Sequence, residues 1–321
     1  MMWLRTRPLL RELAVCDLLA LVYSGFLLFA SLTGSGPRQA YCIVHTGLAW
    51  ATVIVCLVLV RGRFIRRRPV VWGLYQAGIF TAVLGSYFRL RDVLPTFTDR
   101  RADELLYRAD VALFGFEPTL WLDQFVTPTT TTWFAFFYYS YFVYLVVHIG
   151  PILISRDRRL SGEFALGLVG VYCIAQLGYF VLPGYGPYHY LAHQFVHPLP
   201  HGFWLDMTAE AVRTSGALLD IFPSLHTAGP LYMALFSFLN RDHPVLRYTW
   251  PLALFFSVNI IGATLFLRWH YLIDVVIGVV LAVTWARLTR PLYALDEARR
   301  RRAGAVTELW PLLRLPRSLR D

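Results

Sequence analysis

The residues able to do chemistry gather in two short strings. One is Phe222-Pro223-Ser224-Leu225-His226-Thr227-Ala228 and the other is Arg268-Trp269-His270-Tyr271-Leu272-Ile273-Asp274. His270 and Asp274 are four residues apart, so on a helix they share one face. A carboxylate there holds one ring nitrogen of His270 and leaves the other free to attack phosphorus. His226, arriving from a separate segment, can supply the proton to the departing oxygen. A nucleophile, its orienting acid and a separate proton donor make up a phosphoryl-transfer site that calls for no metal and no cofactor. Ser224, directly after Pro223, has the type and place of a helix N-cap. Helix N-termini carry free N–H groups and the positive end of the dipole, so two of them facing one spot would cradle a phosphate.

Such residues need elements to hold them, and composition says where those elements lie. Of the 321 residues, 57% are hydrophobic and only 16% are charged. A soluble domain carries about 25% charged residues, so this chain belongs in a bilayer. Apolar runs of about 20 residues suit a membrane-spanning helix. Eight are expected, at 13–32, 41–60, 70–88, 133–154, 164–182, 225–239, 248–267 and 271–288, the sixth with a possible start near Ala217. The first run is too long, and too poorly followed by a small-residue cleavage site, for a signal peptide. The fold class is therefore all-α, a polytopic helix bundle.

Every basic residue is arginine. With the N-terminus in the cytoplasm, the inner segments hold 22 arginines: Arg5, Arg7 and Arg11, the run from Arg61 to Arg68, Arg156, Arg158 and Arg159, Arg241 and Arg247, and nine from Arg287 to Arg320. The outer segments hold eight, Arg38, Arg89, Arg91, Arg100, Arg101, Arg108, Arg213 and Arg268. This alternation is what the positive-inside rule expects of eight spans with both termini cytoplasmic. It puts the two histidine strings at the outer ends of spans six and eight. The formal charge of +10 then reflects topology and contact with anionic lipid. A nucleic-acid partner is disfavoured, because the arginines are spread over several loops.

One membrane domain over 1–290 is expected, with its chemical core near 133–290 and a basic cytoplasmic tail at 291–321. Two outer segments interrupt it. The first, 89–132, shows helix-like apolar spacing from Ala102 to Gln124 and reads as an amphipathic helix on the bilayer surface. The second, 183–222, is rich in Pro, Gly and His. Within it Gly184 and Gly186 would let backbone approach a head group, or serve an ordinary turn. His189, His193, His197 and His201 recur every four residues. Pro198 and Pro200 break any helix there, and no acidic or cysteine partner lies within the stripe, so a polar lid is preferred to a metal site. His45 and His148 read as packed histidines inside spans. Cys16, Cys42, Cys56 and Cys173 read as small core residues. Arg213 and Arg268 are the outer arginines nearest the motifs. Either could meet the phosphate charge, and a solvated loop charge is the plain alternative for Arg213.

The two strings resemble the Pro-Ser-x-x-His and His-x-x-x-Asp motifs of the type 2 phosphatidic acid phosphatase superfamily. With Gly262-Ala263-Thr264 they are most similar to its inositol-phosphorylceramide synthase branch, and the His-Tyr-x-Ile-Asp-Val string also resembles sphingomyelin synthases. The likeness covers spans five to eight, and extends weakly to Asp110-Val111-Ala112-Leu113-Phe114-Gly115 and to Tyr138–Tyr141. The resemblance implies that His270 is a nucleophile forming a phosphohistidine, Asp274 its partner, and His226 the acid and base. The phosphatases carry a first motif, Lys-x6-Arg-Pro, and an arginine six residues before the last histidine, where this chain has Thr264. Arg61 and Arg68-Pro69 spell a version of that first motif, but the arginine alternation puts them a bilayer away from His226. These absences favour a transferase moving a phospho-head group from a phospholipid donor to a lipid hydroxyl. A lipid phosphate phosphatase, with water as acceptor, is the alternative, and a non-catalytic lipid carrier is a third. Arginine-only basic usage suggests a GC-rich genome and a bacterial plasma membrane.

Overall fold

A computed structural model of the chain describes residues 9–153 and 157–312. Arg5, Arg7, Arg156, Arg314, Arg317 and Arg320, which entered the arginine count, lie outside the described residues. Among the described residues there is no strand. The helices are α1 (Val15–Thr33), α2 (Gln39–Arg61), α3 (Arg68–Phe80), α4 (Tyr87–Phe97), α5 (Asp103–Phe114), α6 (Pro118–Leu122), α7 (Pro128–Leu153), α8 (Arg158–Val181), α9 (Pro187–Tyr190), α10 (Phe203–Ser215), α11 (Leu225–Leu239), α12 (Leu246–Phe266) and α13 (Leu272–Arg302). Six of them, α1, α2, α7, α8, α12 and α13, are long and apolar enough to cross a membrane. The protein is a polytopic helical membrane bundle.

The other two expected spans take different forms. The sixth is α11, an apolar helix of 15 residues with the expected bounds. The third is not one regular helix. A π-turn at Thr81–Gly85 joins α3 to α4, and the N–H of Ser86 reaches back to the carbonyl of Thr81. The extra residue per turn re-aims the helix, and α4 then runs past Arg89 and Arg91 to Phe97. The expected surface helix at 102–124 is also divided. Gly115, at φ +81°, ends α5 in the left-handed conformation that favours glycine, and Pro118 starts α6.

The bundle is organised around α11, which packs against α12, α13, α8 and α7. α8 is the most buried of the spans. Tyr232 of α11 donates to the Phe164 carbonyl of α8 at 3.0 Å. Gly278 sets the crossing of α11 and α13: a Cβ there would lie 2.8 Å from the Ser224 carbonyl oxygen and 3.0 Å from Thr227 Cβ. Such separations are not available to a side chain, so only glycine allows this approach.

α13 is the longest element. Its 31 residues extend about 46 Å at 1.5 Å per residue, well beyond the ~30 Å hydrocarbon core. Its last turn carries Arg299, Arg300, Arg301 and Arg302. The chain after Gly304 folds back against the start of α1. Glu12 accepts from the N–H groups of Val306 and Thr307 at 2.8 and 2.9 Å. Arg61, fully buried, donates through Nε to Asp17 Oδ2 at 2.7 Å, and through its other nitrogens to Tyr75 and to the carbonyls of Glu308 and Leu309. The string that holds His270 lies at the start of α13, and Arg61 contacts the segment beyond its end. Arg61 and His270 thus lie toward opposite ends of α13.

Candidate active site

His226 is the second residue of α11, and His270 lies two residues before α13 begins. Their ring centroids are 6.3 Å apart and the rings are tilted by 52°. His226 is held between two tyrosines of α7. Tyr138 stacks on it at 4.6 Å, and Tyr141 lies 4.5 Å away at 51°. The Tyr141 hydroxyl pairs in turn with that of Tyr172 on α8 at 2.7 Å. The tyrosine-rich stretch of the fourth expected span therefore forms the wall behind one histidine.

His270 and Asp274 are both buried. His270 Nδ1 is 3.6 Å from Asp274 Oδ2, a charge-pair separation but too long for a hydrogen bond. Asp274 Oδ2 accepts from the Tyr271 N–H at 3.0 Å, while Asp274 Oδ1 and His270 Nδ1 have no partner. Burial lowers the His270 pKa from its usual range to about 4, against the opposing pull of the Asp220 charge and the Ile221 carbonyl. The ring is therefore neutral near pH 7.

The start of α11 is held to the start of α13 by backbone. The Ser224 N–H donates to the Asp274 carbonyl at 3.1 Å. Ser224 occupies the N-cap position of α11, yet its side chain makes no cap hydrogen bond. Its Oγ is buried without a partner, as are Thr227 Oγ1 and Trp269 Nε1. Buried polar atoms without partners are rare in folded proteins. Their concentration in the two motifs marks a place that expects a polar ligand.

The two helix N-termini differ. That of α13 is already occupied: Asp110 of α5 accepts from Leu272 N–H at 2.7 Å and from Ile273 N–H at 2.8 Å, one with each oxygen. The buried face of α5 carries Asp103, Leu106 and Asp110. Asp103 accepts from Tyr185 N–H at 3.1 Å and Gly186 N–H at 2.8 Å. It thereby fixes the Pro183–Pro187 turn, which leans on the backbone before His270. Gly186 has φ +102°, and a Cβ on it would come within 2.4 Å of the Trp269 carbonyl oxygen. A Cβ on Gly184 would lie 3.0 Å from Asp103 Oδ2. Both glycines thus serve close packing on this chain's own Asp103 and Trp269. Glu117, which caps α6, is buried with Oε2 unpartnered. Its pKa rises to about 7, by burial first and then by the charges of Asp110 and Asp274.

Each of the two candidate phosphate-binding arginines has an acidic partner. Arg268, at φ +66°, donates to Asp123 Oδ1 at 2.7 Å and to the His197 carbonyl, and its guanidinium lies over the Phe195 ring. Arg213 is exposed on α10 and pairs with Glu210 at 2.6 Å. Thr264, where the phosphatases have an arginine, is buried and bonds the Ile261 carbonyl of its own helix.

The histidine stripe does not lie on one helix. His189 belongs to the single turn α9, His197 Nδ1 lies 3.1 Å from Asp123 and His201 lies 3.1 Å from Asp206. Among the described residues, no group of three His, Cys, Asp or Glu side chains comes together as a metal ion would need. His148 pairs with Ser237 at 2.8 Å, and His45 bonds the carbonyl of Tyr41 in its own helix.

Sequence reasoning missed several residues. Asp103, Glu117, Asp123 and Asp220 have no part in the sequence reading, and Asp110 enters it only through the family resemblance. A usable signal existed: two aspartates seven residues apart on the otherwise apolar face of α5. Buried carboxylates need partners, and for Asp103 and Asp110 those partners are backbone amides of the Pro183–Pro187 turn and of the segment that follows His270.

No curated protein and no solved structure matches the chain. A family model described as the PAP2 superfamily matches residues 104–288, a stretch that holds both histidines, Asp110 and Asp274 and leaves out Arg61 and Arg68. That match covers more than half of the chain, so the protein belongs to the PAP2 superfamily, whose members are phosphatases or phosphotransferases acting on phosphate esters.

Proposed function

We propose that the protein is a lipid phosphotransferase of the inositol-phosphorylceramide synthase type. It moves a phospho-head group from a donor phospholipid to the hydroxyl of an acceptor lipid. The nitrogen of His270 that faces away from Asp274 attacks phosphorus. An N–P bond forms as the bond from phosphorus to the donor's leaving oxygen breaks. His226 gives that oxygen its proton, and Asp274 stabilises the charge that develops on His270. The acceptor hydroxyl then gives its proton to His226 and attacks phosphorus, and the N–P bond breaks. Ser224 Oγ, Thr227 Oγ1 and the N-terminus of α11 hold the phosphate oxygens.

The observation that carries this reading is the placement of His226 6.3 Å from His270, with Asp274 behind the latter. One tetrahedral phosphate can bridge rings at that separation. The absence of a phosphatase-type arginine at Thr264 favours an alcohol over water as acceptor. The arginine alternation supports a site on the outer face, and the arginine-only basic usage supports a bacterial plasma membrane.

The test uses purified protein, a phospholipid donor labelled in the head-group phosphate, and an acceptor lipid alcohol added or withheld. Acceptor-dependent product and an acid-labile phosphoprotein are expected, and His270→Ala should lower turnover by at least about a thousandfold. Retained activity in His270→Ala would sink the mechanism. Phosphate release independent of acceptor would make the protein a phosphatase instead.

A further inference from the structure

The end of the bundle opposite the histidines holds a second set of basic groups that the proposed reaction does not use. α13 ends there, α8 begins there, and residues 303–312 fold over both. Together they line a half-open cavity of about 390 Å³. Four arginines line it: Arg158 and Arg159 from α8, and Arg300 and Arg301 from α13. Two carboxylates also line it, and each has an arginine: Glu308 lies 3.0 Å from Arg158, and Glu297 lies 3.4 Å from Arg301. Arg159 pairs with Glu163 on its own helix.

Two further donors in the wall are left over. Arg300 is only 3% exposed. It donates through Nη2 to the carbonyl and hydroxyl of Thr307, and lies 3.6 Å from Glu12, but its Nη1 is buried with no acceptor. Trp310, 4% exposed, packs edge-on against Tyr75 and leaves its Nε1 buried with no acceptor. A buried N–H without an acceptor costs stability, and here two border the same cavity. Both are donors, and the cavity lining itself holds four arginines against two carboxylates, with Glu163 and Glu12 reaching Arg159 and Arg300 from outside it. The missing partner is therefore an anion with several acceptor oxygens, which a guanidinium binds well.

We propose that this cavity is a second anion site, taking the phosphate group of an anionic lipid head group or free phosphate. It stands independently of the reaction assigned to the histidines. By the arginine alternation it faces the inner leaflet, where anionic head groups meet basic residues. Occupancy would tie the folded-back segment to the ends of α8 and α13.

The test uses the full chain in dodecyl maltoside, a detergent without phosphate. Inorganic phosphate or phosphatidylglycerol is titrated in while thermal unfolding is followed. Wild type and His270→Ala should both be stabilised saturably. Arg301→Ala, at an exposed rim position, and Trp310→Phe, which keeps the ring and removes the N–H, should each need about tenfold more ligand. Stabilisation by inorganic phosphate means that the phosphate group suffices, and stabilisation by phosphatidylglycerol alone makes the ligand a lipid head group. No stabilisation by either ligand, unchanged half-saturation in both variants, or loss of the effect in His270→Ala alone would each overturn the proposal.

Discussion

The Ser224 N–H donates to the Asp274 carbonyl at 3.1 Å, so one backbone hydrogen bond joins two motifs that are distant in sequence. The contact is possible because α11 and α13 touch at Gly278, one helical turn beyond Asp274. A side chain at 278 would press on the Ser224 carbonyl and Thr227. Gly278→Ala should therefore cost about 1–3 kcal/mol, the usual penalty of overpacking. It should also lower turnover, because the histidines sit on the two elements being pushed apart. Thermal unfolding and activity measured on the same preparation check this. A variant as stable and active as wild type would show that the crossing relaxes freely.

Asp110 holds the first turn of α13 with both carboxylate oxygens. Asp110→Ala leaves two amide groups without that acceptor and should cost about 1–2 kcal/mol, the range of a lost cap. Asp110→Asn keeps one oxygen acceptor and should cost less. If Asp110 sets the position of His270, turnover in Asp110→Ala should fall by about tenfold or more in the folded fraction. The comparison with Asn separates a missing cap from a missing charge.

Much of this architecture is legible in the sequence because burial in lipid leaves a crude signal. Apolar length gives the spans, and arginine placement separates the Arg61 end from the histidine end. α11 has its expected bounds because apolar residues fill the interval between Ser224 and Asn240. The π-turn at Thr81–Gly85 leaves no such signal, since a single extra residue changes no hydropathy average. The carboxylate shell is hidden for another reason. Asp103, Asp110 and Asp123 bond backbone amides of Gly186, Leu272, Ile273 and Val196. An amide belongs to every residue except proline, so the partner's identity says nothing. Only tertiary packing reveals which amides need an acceptor.

Arg61 and Asp17 test the separation of the two ends. Both are fully buried and paired at 2.7 Å. Arg61→Ala leaves Asp17 as a buried charge that has lost its partner, and should destabilise by about 3–5 kcal/mol. If Arg61 were part of a phosphate-binding motif, its loss would also abolish turnover in protein that remains folded. The expected outcome is the reverse: lower stability, with unchanged turnover per folded molecule. Arg61→Leu combined with Asp17→Leu removes both charges and should recover part of the stability.

The pH dependence of the first chemical step follows from His270. Only its neutral form can attack phosphorus, and burial lowers its pKa from the usual 6.5 to about 4. Protonation therefore begins to remove the nucleophile only as the pH approaches that lower value. The acid limb of phosphoenzyme formation should lie well below pH 6. The Asp220 charge opposes the downward shift by favouring the protonated ring, so Asp220→Asn should move the acid limb further down. Rapid-quench measurement of phosphoenzyme formation from about pH 3 to 8 reads both effects. A limb near 6.5 that does not respond to Asp220→Asn would mean that another group limits the step.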